Sequence, residues 1–118
     1  MKDRNITIIQ RIIQYADEIQ GTIIRFDLDN YKFKSDYVVK NAICMCVLQI
    51  GELVVNLSDD FKLKHPQMPW RDIISVRNRT AHTYFSIDLE ILWGIATIDI
   101  PALQAYCKKI LEQKEYKS

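Results

Sequence analysis

Residues 38–57, VVKNAICMCVLQIGELVVNL, are apolar with a helical period. Apolar side chains recur at steps of four, three, four, three and four residues, which places them on one face of an α-helix. They are Val39, Ile43, Cys46, Ile50, Leu53 and Leu57. Other apolar residues flank this face, so we expect this helix at the middle of a bundle. Ser35 or Asp36 is placed to cap its start.

The segments on either side of this helix carry weaker signals. Residues 6–23 repeat apolar side chains at steps of three and four, which predicts an amphipathic helix that ends near Gly21 or a turn later. FDLDNYKFKS, residues 26–35, breaks that period. SDDFKLKHPQMP, residues 58–69, contains two prolines and is predicted to be a loop.

The second half of the chain carries three further helix starts. Pro69 can open a third helix, because the N–H that proline lacks has no partner at a first helical position. Ser86 or Asp88 can start a fourth helix, and Asp99 followed by Pro101 a fifth. No segment alternates polar and apolar residues for long enough to predict a strand. The fold class is therefore all-α, an antiparallel bundle of four to five helices.

Length and composition predict one globular domain, residues 1–118, with 48% hydrophobic and 26% charged residues. The start of the chain does not resemble a secretory signal, and no stretch approaches the ~20 apolar residues of a membrane span. We therefore expect no membrane association. An odd number of cysteines without a paired framework suits a reducing cytosol, so we expect a cytoplasmic protein.

The cysteines are better explained as small apolar residues than as metal ligands. Cys44 and Cys46 would lie about 200° apart on a helix, so they cannot chelate one ion from the same face. A zinc site that combines them with His65 and His82 is the minor alternative. Cys107 has no cysteine near it in the sequence.

RNRTAHTY, residues 77–84, concentrates two arginines, a histidine and a tyrosine directly after an apolar helical stretch. On one continuous helix, Arg77 and His82 would diverge by about 140°. The two side chains could meet if the helix ended near Arg79 or Thr80, or if copies from two subunits met across a two-fold axis. A structural reading, in which the polar groups cap helix carbonyls, remains the alternative from spacing alone.

These residue types suit chemistry on a phosphodiester. Histidine moves protons near neutral pH, and arginine holds a phosphate and stabilises its added charge. No Asp or Glu lies within residues 77–84 to bind Mg²⁺, which argues against two-metal phosphoryl chemistry. The remaining route is specific to RNA: the 2′-hydroxyl attacks its own phosphate, with the histidine as acid or base and the arginine as an electrostatic clamp.

The arrangement Arg77-x4-His82-x-Tyr84 resembles the motif of HEPN-domain proteins, specifically their HepT-like group. Two longer stretches are similar to the signatures of that group: IGELVVNLSDDF at 50–61 and HPQMPWRDIISVRNRTAHTYFSIDLEILW at 65–93. DIPAL at 99–103 is similar to the opening of the last helix in the group. These matches follow one another in order and cover most of the chain after about residue 38.

The resemblance implies a homodimeric endoribonuclease that uses no metal or other cofactor. It further implies the toxin of a toxin–antitoxin pair, whose partner is a minimal nucleotidyltransferase. Arg77 and His82 match the catalytic positions of the group, and Asn78, with Arg79 beside it, would support the site. Tyr84 matches the tyrosine that the partner modifies with AMP. The second hypothesis is a non-catalytic module that binds a nucleotide or the nucleotidyltransferase, with Arg77 only as a phosphate anchor.

Overall fold

The computed structural model describes residues 4–71, 73–74 and 88–117, with side chains up to residue 113. The first half of the chain contains α1 (Arg4–Arg25), α2 (Asn30–Ser35), α3 (Tyr37–Val55) and α4 (Asp59–Lys64). The helical residues 70, 71, 73 and 74 form α5. α6 (Leu89–Gly94) continues through a π-helical turn, Ile95–Asp99, into α7 (Ile100–Lys117). The described residues contain helices and no strand, which confirms the all-α prediction.

α1 has the amphipathic character that its sequence predicts. Ile9, Ile12 and Ile19 are almost completely buried, each contributing roughly 1.5–3 kcal/mol to folding. The helix ends a turn after Gly21, where the amide of Leu28 donates to the carbonyl of Ile23 at 3.0 Å. Asp27 takes the left-handed conformation, φ 48°, which lets the last carbonyls of the helix be satisfied in this way.

α3 buries one face in the core, and its position at the middle of the bundle stays a prediction. Asp36 caps its start by accepting from the amide of Val38 at 2.9 Å. Its buried residues pack against α1 and α2. By length and composition α3 could also cross a membrane, which corrects the expectation that no stretch approaches such a span. Its buried face gives the apolar composition another explanation, that of a bundle helix packed on the core.

Two short helices occupy segments that the sequence predicts to be irregular. Asp29 caps α2, and Ser58 caps α4 by accepting from the amide of Phe61 at 3.1 Å. The prediction of a loop over residues 58–69 is therefore wrong for its first half. One buried aromatic ring fixes each helix to the core, Phe33 in α2 and Phe61 in α4. Six residues are too few to show a helical period in the sequence, which is why the pattern did not reveal them.

The helix that begins at Leu89 continues to the end of the described chain, although the sequence predicts separate fourth and fifth helices. Pro101 lies inside this continuous helix, although it has no N–H and its ring would clash with the carbonyl of Thr97 in a regular α-helix. A π-helical turn precedes it, and the amide of Ile100 donates to the carbonyl of Ile95, five residues back. The wider turn accommodates the proline, so the helix does not end.

α1 runs antiparallel to the other two long helices, α3 and the continuous α6–α7 helix, around one core. At one end of the bundle the side chain of Asn5 donates to Ser58 at 3.1 Å, which brings the start of α1 to the start of α4. At the other end Asn30 of α2 contacts Glu90 of α6. α7 passes α1 in the opposite direction, where Gln104 donates to the carbonyl of Ile13 at 3.1 Å. We call these two ends the α4 end and the α2 end.

Candidate functional site

The residues that the sequence singles out lie outside the described residues. They are Arg77, Asn78, Arg79, His82 and Tyr84. The structure therefore does not test whether Arg77 and His82 meet. It describes the helices on either side of their segment, α5 before it and α6 after it.

α5 begins where Pro69 predicts, and a buried tryptophan fixes its start. The amide of Ile73 donates to the carbonyl of Pro69 at 3.1 Å, the first bond of the helix. Trp70 is 8% exposed and its indole Nε1 donates to the carbonyl of His65 at 2.9 Å. The ring centroids of Trp70 and Phe61 are 6.2 Å apart. Trp70 is thus a core anchor, and it aligns the helix that leads into residues 77–84.

His65 joins the loop before α5 to α7 through a chain of hydrogen bonds. Its Nδ1 lies 2.8 Å from the Tyr106 hydroxyl, which donates to Gln67 Oε1 at 2.9 Å. A phenol has a single proton, so His65 Nδ1 carries a hydrogen and donates to Tyr106, and Nε2 is the unprotonated nitrogen of the neutral ring. Burial lowers the pKa of His65 from its ordinary 6.5, and the nearby Lys64 ammonium lowers it further.

The far side of the motif segment ends at a capped helix start. Asp88 Oδ1 accepts from the amide of Glu90 at 2.9 Å and from that of Ile91 at 3.4 Å, which confirms Asp88 as one of the two predicted caps. The Glu90 carboxylate pairs with the Lys34 ammonium and accepts from the Asn30 amide at 3.0 Å. The hydrogen bond from Lys34, followed by that from Asn30, holds the pKa of Glu90 below its ordinary value.

An apolar cavity of about 160 Å³ lies between α3, α5 and the π-helical turn. Its walls are mostly aliphatic: Val47, Ile50, Ile73, Ile95 and Ile100. Asp99 also lines it, and this residue is exposed. Met68 and Ala102 line both the cavity and a second, open groove along α7.

The groove carries polar groups along its length. They are Gln67, Tyr106, Lys108, Lys109 and Glu112. Lys108 and Lys109 are both exposed, and they lie two and three residues after Tyr106 on α7. The groove therefore runs from the cavity mouth towards the α4 end, past the hydrogen-bonded Tyr106.

The described residues hold no group of three or more His, Cys, Asp or Glu side chains that could bind a metal. Cys44 and Cys107 are buried, as predicted for thiols that serve as small apolar residues, and Cys46 is half-buried. Burial raises the pKa of Cys107 to about 12. Burial and the Glu18 carboxylate raise the pKa of Cys46 to about 11. Both thiols are therefore protonated, and poor nucleophiles, at neutral pH.

Comparison with known protein families identifies the family of the chain. A family profile described as "HepT-like: Ribonuclease HepT-like" matches residues 6–110. The chain belongs to the ribonuclease HepT-like family. This confirms the resemblance seen in the sequence, and the matched range contains the whole 77–84 segment. No solved structure matches the chain significantly.

Relatives of this HepT-like chain carry names of the same kind. "Putative RNase MJ0125" of Methanocaldococcus jannaschii is 31% identical over 108 residues, which cover 90% of both chains. "Probable ribonuclease HepT" of Thermococcus cleftensis is 35% identical over 78 residues, 66% of this chain and 71% of the relative. "Putative RNase TTE0752" of Caldanaerobacter subterraneus subsp. tengcongensis is 34% identical over 83 residues, 70% of this chain and 74% of the relative.

Sequence reasoning missed the groups beside α5 that the fold brings together. Tyr106 lies 39 residues from Gln67 and 41 residues from His65 in the chain, so no local pattern indicates that it binds both. Asp99 and the Lys108–Lys109 pair are ordinary helix-surface residues in the sequence. Only the packing of α5 against α7 places them beside one cavity and groove.

Proposed function

We propose that this HepT-like chain is a metal-independent endoribonuclease. The observation that carries the proposal is the family match over residues 6–110, which includes the complete Arg77-x4-His82-x-Tyr84 motif. The ribonuclease names of the relatives support the same activity. Arg77 and His82 are the catalytic residues in this proposal, with Asn78 and Arg79 as supporting groups.

The reaction needs only the RNA and these side chains. His82 accepts the proton of a ribose 2′-hydroxyl, whose oxygen then attacks the adjacent phosphorus. The bond from phosphorus to the 5′-oxygen breaks and that oxygen takes up a proton from water, so a 2′,3′-cyclic phosphate and a 5′-hydroxyl are formed, and His82 returns its proton to the solvent. Arg77 stabilises the extra negative charge on the phosphoryl oxygens as the 2′-oxygen attacks. DNA has no 2′-hydroxyl and is not a substrate.

The active species in this proposal is a homodimer in which the two motifs face one cleft. An apolar stripe on the outer face of α3 supports it. Val38 and Met45 leave 57% and 56% of their surface exposed, and Ala42 lies between them on the same face. Burying such a stripe against a second copy would contribute the hydrophobic free energy that a stable dimer needs.

The proposed regulator is a minimal nucleotidyltransferase that acts as the antitoxin. The Tyr84 phenol oxygen attacks the α-phosphorus of ATP, and pyrophosphate leaves. The AMP that remains adds a negative phosphate and a bulky base beside Arg77 and His82, so it excludes an RNA phosphate by charge and by volume. In this proposal the protein is the toxin of a toxin–antitoxin pair. It acts in the cytoplasm, because RNA and ATP are both present there.

The proposed activity is tested with purified protein, RNA and EDTA. We expect cleavage that persists in EDTA, yields 2′,3′-cyclic phosphate ends and disappears in a His82→Ala variant. Mass spectrometry first establishes that Tyr84 carries no AMP. Unmodified, folded wild-type protein that cuts none of several RNAs would contradict the nuclease and favour the non-catalytic binding module.

A further inference from the structure

The apolar cavity beside α5 has the size and lining of a site for one aromatic ring. Its volume is about 160 Å³, and Val47, Ile50, Ile73, Ile95 and Ile100 form aliphatic walls. A dry apolar cavity of about 150 Å³ in another protein binds benzene. Ile73 stands four residues before Arg77 in the sequence, so the cavity adjoins the helix that leads into the motif.

The groove beside this cavity carries two ammonium groups, those of Lys108 and Lys109, and one carboxylate, that of Glu112. Met68 and Ala102 line both spaces, so the groove adjoins the cavity. Lys108 and Lys109 flank the groove at the end away from Asp99. At about 1.5 Å per residue, the two lysines stand roughly 10 Å along α7 from Ala102. A short stretch of single strand spans that distance.

We propose that the cavity and groove form a subsite for single-stranded RNA, with one base in the cavity and the neighbouring phosphates beside Lys108 and Lys109. The choice of RNA rests on the proposed nuclease function. Among the described residues, the subsite is lined by α3, α5, α7 and the segments next to them, and it holds the strand on the side of α5 that faces α7.

The distribution of charge determines which end of the subsite takes the base and which end takes the phosphates. The Asp99 carboxylate at the cavity repels phosphate, whereas it can accept a hydrogen bond from the amino group of a base. At the opposite end of the groove Lys108 and Lys109 outnumber the single Glu112 carboxylate, so that end attracts phosphate. A base therefore occupies the Asp99 end and the backbone the lysine end. Removing one base from a single strand into a pocket costs little, because that base has no pairing partner to lose.

Substitution of the two lysines tests whether the groove binds RNA phosphates. Binding of a fluorescent, uncleavable 2′-O-methyl pyrimidine oligomer is measured by anisotropy across a salt series. The slope of log K against log salt is negative. In Lys108→Gln/Lys109→Gln its magnitude should decrease by about 1.4, because each phosphate that is no longer neutralised reduces the magnitude by about 0.7. The matched control is Arg25→Gln/Lys32→Gln, which removes two positive charges at the α2 end and should change the slope far less. Equal slopes in the two double variants would overturn the proposal.

Filling the cavity mouth tests the placement of the base. Ala102 is exposed and helical, so Ala102→Leu should fold normally, which circular dichroism checks. The larger side chain obstructs the mouth, and binding of the pyrimidine oligomer should weaken roughly tenfold, the scale of one bound base. An abasic oligomer of the same length should bind both proteins alike. An unchanged affinity for the base-bearing oligomer would overturn the proposal.

These measurements separate this inference from the nuclease proposal. If the wild-type protein cleaves RNA and the lysine and Ala102 variants bind as it does, the subsite is wrong and the nuclease stands. If the wild-type protein cleaves nothing and those variants still lose RNA affinity, the subsite stands and the nuclease is wrong. Variants that keep RNA affinity and lose a nucleotidyltransferase partner would show that the groove docks a protein, which also overturns the subsite.

Discussion

His65 Nδ1 and the Tyr106 hydroxyl lie 2.8 Å apart, and this bond joins the loop before α5 to the middle of α7 across 41 positions of sequence. The rings meet edge to face, with their planes at 82°. Because Trp70 in turn binds the carbonyl of His65, one set of contacts fixes both the loop and the start of the helix that leads into the motif.

Removing the Tyr106 hydroxyl should therefore destabilise the fold. In Tyr106→Phe, His65 Nδ1 and Gln67 Oε1 both lose their partner, and we expect the free energy of unfolding in urea to fall by about 1 kcal/mol. Tyr31→Phe is the control, because Tyr31 is 78% exposed, and its stability should match the wild type. Equal stability of the two variants would mean that water replaces the bonds of Tyr106 without loss.

The lowered pKa of His65 predicts a pH dependence of stability. Above pH 6.5 the ring is neutral in both the folded and the unfolded chain, so His65 adds no pH dependence there. As the pH falls below 6.5, the unfolded chain takes up the proton first, and the folded state loses stability until the pH passes the folded pKa. His65→Asn should lose less stability than the wild type as the pH falls below 6.5. Parallel curves from urea unfolding across this range would contradict the prediction.

The Asp88 cap should contribute to the stability of the helix after the motif. Asp88→Ala leaves the amides of Glu90 and Ile91 without a side-chain acceptor and should cost about 1 kcal/mol. Asp88→Asn keeps an acceptor oxygen in the same place and should lose much less. The measurement is thermal unfolding of both variants. A loss of equal size in both would assign the effect to the negative charge at the helix start and not to the cap.

The exposed stripe of α3 predicts the effect of a charge on assembly. If Met45 is buried between two copies, Met45→Glu places an unpaired carboxylate in an apolar interface and should weaken the dimer by more than tenfold. Ile24→Glu changes a residue of similar exposure on α1 and should leave assembly unchanged. Analytical ultracentrifugation gives both dissociation constants. A Met45→Glu protein that dimerises like the wild type would exclude α3 as the interface.

Local patterns predicted the parts of the fold that local physics determines. The stripe of α1, the apolar α3 and the Asp36 and Asp88 caps are each written in fewer than about twenty consecutive residues, so the sequence shows them directly. The short helices α2 and α4 were missed because each depends on one aromatic ring that packs into a distant core. The π-helical turn was missed because a proline usually ends a helix, and here the turn widens instead.

The candidate site likewise has one part that local sequence predicts and another that depends on how the helices pack. The motif at residues 77–84 was found from the identity and spacing of its residues, and the family match includes it. The groups beside α5 depend on contacts between segments far apart in the chain, such as His65 with Tyr106, or Ile73 with Ile100 around one cavity. Such contacts are set by how helices pack, which no short window of sequence records.

The central claim is that His82 and Arg77 act together on one phosphodiester, and single-turnover cleavage in EDTA tests it most directly. The rates of His82→Ala, Arg77→Ala and the double variant are compared with that of the wild type. We predict that each single variant loses about 10²–10⁴ in rate and that the double variant loses little more, because the two groups serve one transition state. A single variant that cleaves at the wild-type rate would contradict the claim.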